Sequence, residues 1–263
     1  MPTGGGFDGA ILDVDGVLVD SPHERAWKDA LRELMEGDWA DIRERTTWSE
    51  EPFTPQVYQR VISGRPRTAG ALATLEHFEI PDAQARTRTY AARKQALIVH
   101  LIEASQFTAY PDALRFVMAV RDLGIPAAVA SSSKNADRML KRIRLDTFAQ
   151  REGLTYDFVQ PGLTLLDFFD ADLSGRDLAR GKPDPEIFLI AAAELKAAPE
   201  HCFVVEDAVS GIRAAKAGKM AALGVARADD QQLLVAAHAD LVVTTLDEVD
   251  VRGLASHQLM TTG

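Results

Sequence analysis

The chain has 263 residues, of which 46% are hydrophobic and 26% are charged, and these values are typical of a soluble globular protein. Its net charge of −10 argues against a general nucleic-acid binder and against a polybasic membrane anchor, since both need clustered basic residues. The single cysteine, Cys202, excludes an intrachain disulfide. Residues 1–6 show no signal-peptide pattern, and no apolar run approaches the roughly 18 residues of a membrane span. We therefore expect a cytoplasmic protein without membrane or nucleic-acid partners.

Five short and nearly continuous apolar runs predict the strands of a parallel β-sheet that is covered on both faces. The runs are residues 9–12, 126–130, 202–205, 220–225 and 241–243. Helix-like segments alternate with them at residues 112–123, 135–145, 184–196, 209–217 and 229–237. Alternation of this kind predicts βαβ units, and hence an α/β fold with a doubly wound parallel sheet.

One long stretch, from about Pro22 to Ala109, contains helix candidates and no strand candidate. Its predicted helices are residues 26–35, 54–62, 68–78 and 83–103, separated by Gly or Pro breaks. We therefore expect a helical insert at 21–109 within a core domain of residues 1–20 and 110–263. A second unusual stretch, 146–166, has weak periodicity. It either carries short elements of its own or forms a lid or dimer contact.

Two carboxylates follow the first predicted strand. Asp13 and Asp15 come directly after residues 9–12, where an α/β sheet presents its ligand-binding crevice. One carboxylate of such a pair can attack as a nucleophile while the other donates and accepts a proton. The alternative is an ordinary Asp-Xaa-Asp-Gly turn.

A run of small polar residues and one cation follows the second predicted strand. It comprises Ser131, Ser132, Ser133, Lys134 and Asn135. Hydroxyls, backbone N–H groups and a lysine at the start of a helix are typical of an anion site. The alternative is an ordinary helix N-cap, where Ser and Asn are favoured.

Two further features carry charge. Lys182 lies in a Gly-Lys-Pro segment just before a predicted helix, and a single loop lysine of this kind is usually a solvated surface charge. Glu206 and Asp207 directly follow the very apolar run 202–205, where buried carboxylates are costly unless a cation meets them. The alternative for Asp207 is a cap on the next helix.

The joint pattern is more informative than any of its members. Three predicted strands deliver polar groups at their carboxyl ends, and carboxylates that converge in one crevice repel each other without a cation. Oxygen ligands suit Mg²⁺, which leaves room for a substrate phosphate. The pattern therefore predicts phosphoryl transfer, which depends on positioning and charge neutralisation.

The order and spacing of these four motifs resemble the haloacid dehalogenase superfamily of phosphotransferases, and within it the beta-phosphoglucomutase-like members. The resemblance covers nearly the whole chain and makes the helical insert the cap domain. It implies that Asp13 is phosphorylated and that Asp15 is the general acid/base. It implies that Ser131 and Lys182 hold the transferring phosphate. The implied Mg²⁺ ligands are Asp13, the Asp15 carbonyl and Asp207, with Glu206 nearby.

The resemblance also implies substrate-binding residues. The Ser133-Lys134-Asn135 run is similar to one that holds the distal phosphate in beta-phosphoglucomutases. Arg67 looks like a second clamp on that phosphate, and a bidentate Arg suits the task. Further matches in the predicted cap are His23, Trp27 and Lys94.

The expected function is Mg²⁺-dependent phosphoryl transfer on a small phosphorylated sugar, through an aspartyl phosphate at Asp13. A phosphosugar phosphatase is preferred because it needs the fewest features. A beta-phosphoglucomutase that interconverts glucose 1-phosphate and glucose 6-phosphate is the first alternative. A non-catalytic phospho-ligand-binding protein is an alternative of another class. The assembly is expected to be a monomer or a homodimer.

Overall fold

The computed structural model describes residues 5–262. Residues 1–4, which belong to the stretch without a predicted signal peptide, and residue 263 lie outside the described residues. The chain divides into two compact units. The first unit combines the chain up to Asp20 with the chain from Thr108 onward, and the second is Ser21–Phe107.

The first unit is built around a parallel sheet. The strands, in chain order, are β1 (Gly9–Leu12), β2 (Val19–Asp20), β3 (Thr108–Ala109), β4 (Ala127–Val129), β5 (Ala171–Asp172), β6 (Cys202–Glu206), β7 (Ala221–Val225) and β8 (Leu241–Val243). Six of them form the sheet in the order β5-β4-β1-β6-β7-β8, with every neighbouring pair parallel. Strands β2 and β3 pair separately as an antiparallel ribbon. The doubly wound α/β fold is therefore confirmed.

Helices connect the strands and make up most of the second unit. In chain order they are α1 (His23–Glu36), α2 (Pro55–Val61), α3 (Arg67–His77), α4 (Ala83–Glu103), α5 (Pro111–Asp122), α6 (Ala136–Leu140), α7 (Leu145–Glu152), α8 (Leu165–Phe168), α9 (Glu186–Glu194), α10 (Val209–Ala217), α11 (Gln231–Ala236) and α12 (Val251–Leu254). Helices α1–α4 lie in the second unit and α5–α12 in the first. None of the helices in the described part of the chain is long and apolar enough to cross a membrane.

Both faces of the sheet are covered by helices. On β6, the Phe203 ring packs against Phe116 of α5, with ring centroids 6.3 Å apart. The next residue, Val204, belongs to the opposite cluster with Phe188 of α9 and Ile212 of α10. Successive side chains of a strand point to opposite faces, so apolar residues are required at every position from Cys202 to Val205. The apolar runs in the sequence are nearly continuous because both faces of the sheet are buried.

Three expectations about the elements were wrong. The predicted helix 135–145 ends at Leu140, because Arg144 adopts an extended backbone and pairs with Thr164 before α7 begins. The stretch that ends at Ala109 does contain a strand, since β3 occupies its last two residues. Strand β5 was not predicted at all. It is only two residues long, which is too short for a periodic signal.

The segment 146–166 carries short elements of its own. It begins inside α7 and ends inside α8. Between them, Tyr156 and Phe158 stack with ring centroids 5.2 Å apart, and Phe158 contacts Phe168 edge-on at 6.0 Å. These aromatic contacts anchor an otherwise irregular loop to the first unit. A lid or dimer contact at this segment stays a prediction.

The second unit has a core of its own, made mainly by α1, α3 and α4. Helix α1 buries residues at helical spacing, among them Trp27, Leu31 and Leu34. Trp27 packs edge-on against Tyr90 of α4, with ring centroids 5.1 Å apart, and the Tyr90 hydroxyl donates to the Trp27 carbonyl at 2.9 Å. The second unit therefore buries a hydrophobic core separate from that of the sheet.

Candidate active site

Five polar side chains lie at the carboxyl edge of the parallel sheet. Asp13 directly follows β1, and Ser131 lies two residues after β4. Glu206 is the last residue of β6, Asp207 follows it, and Lys182 comes from the loop before α9. All five are buried. Because the strands are parallel, their carboxyl ends meet at one edge, which is where open α/β sheets bind ligands.

Lys182 lies between two carboxylates. Its Nζ donates to Asp13 Oδ1 at 2.6 Å and to Glu206 Oε1 at 2.5 Å, and it approaches the Ala130 carbonyl at 3.4 Å. The Lys182 side chain is only 1% exposed, so the interpretation as a solvated surface charge is wrong. A charge this deeply buried requires partners of opposite sign, and the two carboxylates provide them.

Burial and mutual interaction control the ionisation of this trio. Burial raises the pKa of Asp13, although the Lys182 ammonium opposes that shift. Burial likewise raises the pKa of Glu206 against the opposing effect of Lys182. Burial alone would lower the pKa of Lys182, but Asp13 and Glu206 together raise it above its usual value. The lysine is therefore a fixed positive charge at this edge of the sheet.

The position of Glu206 is set by the backbone around it. Its Oε2 accepts hydrogen bonds from the backbone N–H groups of Asp207 and Ala208, both at 3.1 Å. Gly211 of α10 leaves space for the carboxylate, because a Cβ there would lie 1.9 Å from Glu206 Oε1. Ala208, not Asp207, occupies the N-cap of α10, so the capping interpretation of Asp207 is wrong.

Asp15 lies in a tight turn that follows Asp13. The turn is closed by hydrogen bonds from the Gly16 N–H to the Val19 carbonyl and from the Val19 N–H to the Val14 carbonyl, both 2.9 Å long. Gly16 has a φ of +84°, and a Cβ on it would lie 2.0 Å from Asp207 Oδ2. Glycine is therefore required here both for the backbone conformation and for the approach of Asp207.

The acidic residues of this edge could hold a metal ion. One carboxylate oxygen each from Asp13, Glu206 and Asp207 lies within 4.8 Å of the others. With Asp15, the edge has four carboxylates against the single ammonium of Lys182, so an additional cation would balance the site. The donors are all hard oxygens, which fit a small divalent cation of the Mg²⁺ type.

The loop after β4 is organised around its own serines. Ser131 Oγ accepts a hydrogen bond from the Ser133 N–H at 3.0 Å, and Ser133 Oγ accepts one from the Asn135 N–H at 3.3 Å. Asn135 occupies the N-cap of α6 without a side-chain capping bond, whereas the hydrogen bond that Ser133 Oγ accepts is of the capping type. Lys134 forms an ion pair with the exposed Asp177.

The remaining predicted residues lie in the second unit. Lys94 is buried, with its Nζ 2.6 Å from His23 Nδ1 and 4.9 Å from the centroid of the Trp27 ring. Because an ammonium only donates, the His23 Nδ1 accepts and the ring proton resides on Nε2. Arg67 is exposed at the start of α3, and its guanidinium donates to Gln95 Oε1. His23, Trp27 and Lys94 thus form one cluster, which does not include Arg67 in any described contact.

The buried His23 predicts an acid-sensitive stability. Burial, and then the charge of Lys94, hold the pKa of His23 well below 6.5. Below pH 6.5 the unfolded chain takes up a proton there that the folded chain does not, so stability is lost as the pH falls. Between pH 6.5 and 5.5 the free energy of unfolding should fall by about 1 kcal/mol more in the parent than in His23→Gln.

Urea unfolding at pH 7.5, 6.5 and 5.5 measures this difference. His100→Gln, which alters an exposed histidine of α4, is the matched control and should follow the parent. Equal pH slopes in the parent and in His23→Gln would show that folding does not lower the pKa of His23.

Sequence reasoning missed three residues beside this edge, namely Tyr110, Asp112 and Arg227. Arg227 forms hydrogen bonds with the carbonyls of the turn that contains Asp15 and an ion pair with Asp112. The available signal was its position, two residues after the apolar run that forms β7 and at the same edge as the other polar groups. Asp112 and Tyr110 had no comparable signal, because they begin an ordinary amphipathic helix.

Comparisons with known proteins agree with this geometry. The sequence pattern of the haloacid dehalogenase-like hydrolases matches residues 7–219. A beta-phosphoglucomutase of Mycobacterium tuberculosis is 32% identical over 91% of this chain and 90% of its own length. A phosphorylated carbohydrates phosphatase of Thermotoga maritima is 29% identical over 80% of this chain and 81% of its own.

A solved structure extends the similarity to the fold. The archaeal beta-phosphoglucomutase from a hyperthermophilic Pyrococcus strain superposes with a TM-score of 0.66 at 30% identity, over 94% of this chain and 96% of that one. Residues 7–219, which the family pattern matches, include Asp13, Ser131, Lys182, Glu206 and Asp207. The chain is therefore an enzyme of the haloacid dehalogenase-like hydrolase family, in its beta-phosphoglucomutase-like subfamily.

Proposed function

We propose that the enzyme is a Mg²⁺-dependent phosphosugar phosphatase that forms an aspartyl phosphate on Asp13. The observation that carries this proposal is the buried contact of Lys182 with Asp13 and Glu206, beside the carboxylate of Asp207. A buried carboxylate nucleophile beside a fixed positive charge at a sheet edge suits phosphoryl transfer. In this proposal the helical unit Ser21–Phe107 is the cap domain.

The first step is attack of an Asp13 carboxylate oxygen on phosphorus, in line with the sugar oxygen. The bond from Asp13 to phosphorus forms as the bond from phosphorus to the sugar oxygen breaks, and Asp15 gives its proton to that oxygen. The Lys182 ammonium and the Ser131 hydroxyl stabilise the charge of the transferring group. When bound by Asp13, the Asp15 carbonyl and Asp207, Mg²⁺ would supply further neutralisation of the phosphoryl oxygens.

The second step is hydrolysis of the aspartyl phosphate. Asp15, now ionised, takes a proton from a water molecule whose oxygen forms the new bond to phosphorus. The bond from phosphorus to Asp13 breaks, the carboxylate is regenerated, and inorganic phosphate leaves. Release of phosphate regenerates the Asp13 carboxylate beside Lys182 and returns the proton to Asp15, so the resting ionisation of the site is restored.

A beta-phosphoglucomutase is the second candidate. Here a hydroxyl of a bound sugar phosphate, in place of water, accepts the phosphoryl group. The 32% identity to a beta-phosphoglucomutase favours it, as does the Ser133-Lys134-Asn135 run that resembles a distal-phosphate site. Substrate contacts of Arg67, and of the cluster of His23, Trp27 and Lys94, stay predictions under both candidates.

One reaction mixture separates the two functions. The protein is incubated with Mg²⁺, beta-glucose 1-phosphate and a trace of glucose 1,6-bisphosphate, and glucose 6-phosphate and free phosphate are measured together. Free phosphate without glucose 6-phosphate is the result expected for a phosphatase. Glucose 6-phosphate that forms faster than free phosphate would identify a mutase. If neither product forms in this mixture, and no phosphosugar of a wider panel releases phosphate, both candidate functions are contradicted.

The contact of Gly16 with Asp207 gives a test of the metal ligands. In Gly16→Ala the new Cβ would overlap Asp207 Oδ2, so the carboxylate must move and the affinity for Mg²⁺ should fall by about 10-fold or more. Titration calorimetry with Mg²⁺ measures this. Gly124→Ala is the matched control, because Gly124 has a similar φ of +75° and open space where the Cβ would lie. Equal Mg²⁺ affinity in the two variants would contradict the ligand assignment.

A further inference from the structure

Arg227 joins three segments of the first unit. Its Nε donates to the Gly16 carbonyl at 3.3 Å, and its Nη2 donates to the Val17 carbonyl at 3.4 Å. Its Nη1 donates to Asp112 Oδ2 at 2.8 Å and approaches the Thr244 carbonyl at 3.4 Å. The side chain is only 14% exposed. Such a set of contacts uses the fixed fork of the guanidinium, which a lysine cannot reproduce.

Asp112 anchors the guanidinium from the other side. Asp112 Oδ1 accepts from Arg227 Nη2 at 3.2 Å. Asp112 Oδ2, which accepts from Arg227 Nη1, also accepts from the Thr245 hydroxyl at 2.9 Å and from the Leu246 N–H at 2.8 Å. Burial alone would raise the pKa of Asp112, but these hydrogen bonds lower it below its usual value, so the pair is ionised. The anchor is therefore a bidentate, charge-assisted contact.

The ring of Tyr110 fixes the plane of the same guanidinium. The Arg227 Cζ lies 4.0 Å from the ring centroid, which is a close cation–π contact. Burial, together with the charge of Asp20, raises the pKa of Tyr110 to about 12, so the phenol stays neutral. The Tyr110 N–H donates to the Leu18 carbonyl at 3.0 Å, so it also contacts the turn that Arg227 holds.

The turn held in this way is the one that carries the predicted acid/base. Gly16 follows Asp15 directly, and its Cα lies so close to Asp207 that a Cβ would overlap the carboxylate. A shift of the Gly16 peptide would therefore move Asp15 relative to Asp207. Arg227 itself contacts neither of these two carboxylates in any described hydrogen bond or ion pair, so it would act on them only through the backbone.

We propose that Arg227, anchored by Asp112, is a positioning residue that holds the Asp15–Gly16 turn against Asp207 and so sets both metal affinity and turnover. The inference rests on the proposed function. Residues that orient metal ligands from behind typically contribute 10- to 100-fold in metal affinity or activity. An effect of about that size is expected for Arg227.

The test uses Arg227→Lys in the full chain. The lysine keeps the positive charge opposite Asp112 but loses the fork that reaches the two carbonyls of the turn. We expect the Mg²⁺ dissociation constant, measured by calorimetry, to rise about 10-fold or more, and turnover at limiting Mg²⁺ to fall in proportion. Raising the Mg²⁺ concentration should restore part of the lost turnover, which loss of folded protein would not allow.

Arg115→Lys is the matched control. Arg115 lies on α5, as Asp112 does, and pairs with Asp247 and Glu152, but it contacts no residue of the turn in the described hydrogen bonds. Its variant should keep the Mg²⁺ dissociation constant of the parent. If Arg227→Lys does not fold, the nearly isosteric Asp112→Asn replaces it, and its Mg²⁺ dissociation constant should rise in the same direction.

The outcomes separate this inference from the function on which it rests. An Arg227→Lys protein, or an Asp112→Asn protein in its place, that binds Mg²⁺ as the parent does would overturn the positioning role alone. A parent protein that binds no Mg²⁺ and forms no beryllofluoride adduct would overturn the proposed function, and the inference with it.

Discussion

Asp13→Asn is expected to lower turnover by about 10³-fold or more, because the amide cannot attack phosphorus as the carboxylate does. The folded structure should persist. The asparagine keeps the shape of the side chain and an oxygen that can accept from Lys182, which retains its contact with Glu206. Turnover is measured as release of free phosphate or glucose 6-phosphate, and formation of a beryllofluoride adduct is followed by fluorine NMR.

The Asp13→Asn result is compared with a control variant in which a distant aspartate is changed in the same way. Asp157→Asn changes an exposed aspartate of the irregular loop after α7 and should leave both readouts as in the parent. Asp13→Asn that retains full turnover, or that still forms the adduct, would assign the nucleophile to another residue. Loss of turnover together with loss of the folded state would contradict the expectation that the amide preserves the fold.

Lys182→Met is expected to cost about 3–5 kcal/mol in the free energy of unfolding and most of the activity. Methionine fills a volume similar to that of lysine. Loss of the Lys182 ammonium, however, leaves Asp13 and Glu206 buried, close together and without the cation that both contact. One carboxylate must then take up a proton or the local structure must open. Urea unfolding of the metal-free protein measures the stability, and the phosphate assay measures the activity.

Lys216→Met is the matched control for this effect. Lys216 also binds a carboxylate, with its Nζ 2.6 Å from Asp240 Oδ2, but both side chains are partly exposed to solvent. Surface pairs of this kind contribute at most about 1 kcal/mol. If the two variants lose equal stability, Lys182 is not the charge that balances the buried carboxylates.

The sequence was most informative where buried strands end in polar residues. Asp13, Ser131 and Glu206 each interrupt an apolar run, and the cost of burying a polar group makes such interruptions meaningful. Lys182 gained significance only from the joint pattern of the four motifs and from the family resemblance, because a single loop lysine carries no such signal. The structure shows why it matters, since the loop before α9 brings it between two carboxylates that are distant in sequence.

Long-range contacts were beyond the sequence. The end of the helix at Leu140 depends on the pairing of Arg144 with Thr164, which local propensity does not reveal. The role inferred for Arg227 depends on carbonyls more than two hundred residues earlier in the chain. Backbone acceptors are present at every residue, so no pattern of side chains indicates which ones a distant arginine will bind.

The ribbon of β2 and β3 explains how the core can carry a large insert. Val19 faces Ala109 and Asp20 faces Thr108 in antiparallel register, so the chain leaves and re-enters the core at neighbouring positions. In topological terms, residues 21–107 replace the tip of a β-hairpin. Exchange of this tip for a different domain, or for a two-residue turn, would leave the register of the parallel sheet unchanged. Under the proposed function, a different cap could therefore be acquired by replacement of one contiguous segment while the residues at the carboxyl edge of the sheet stay unchanged.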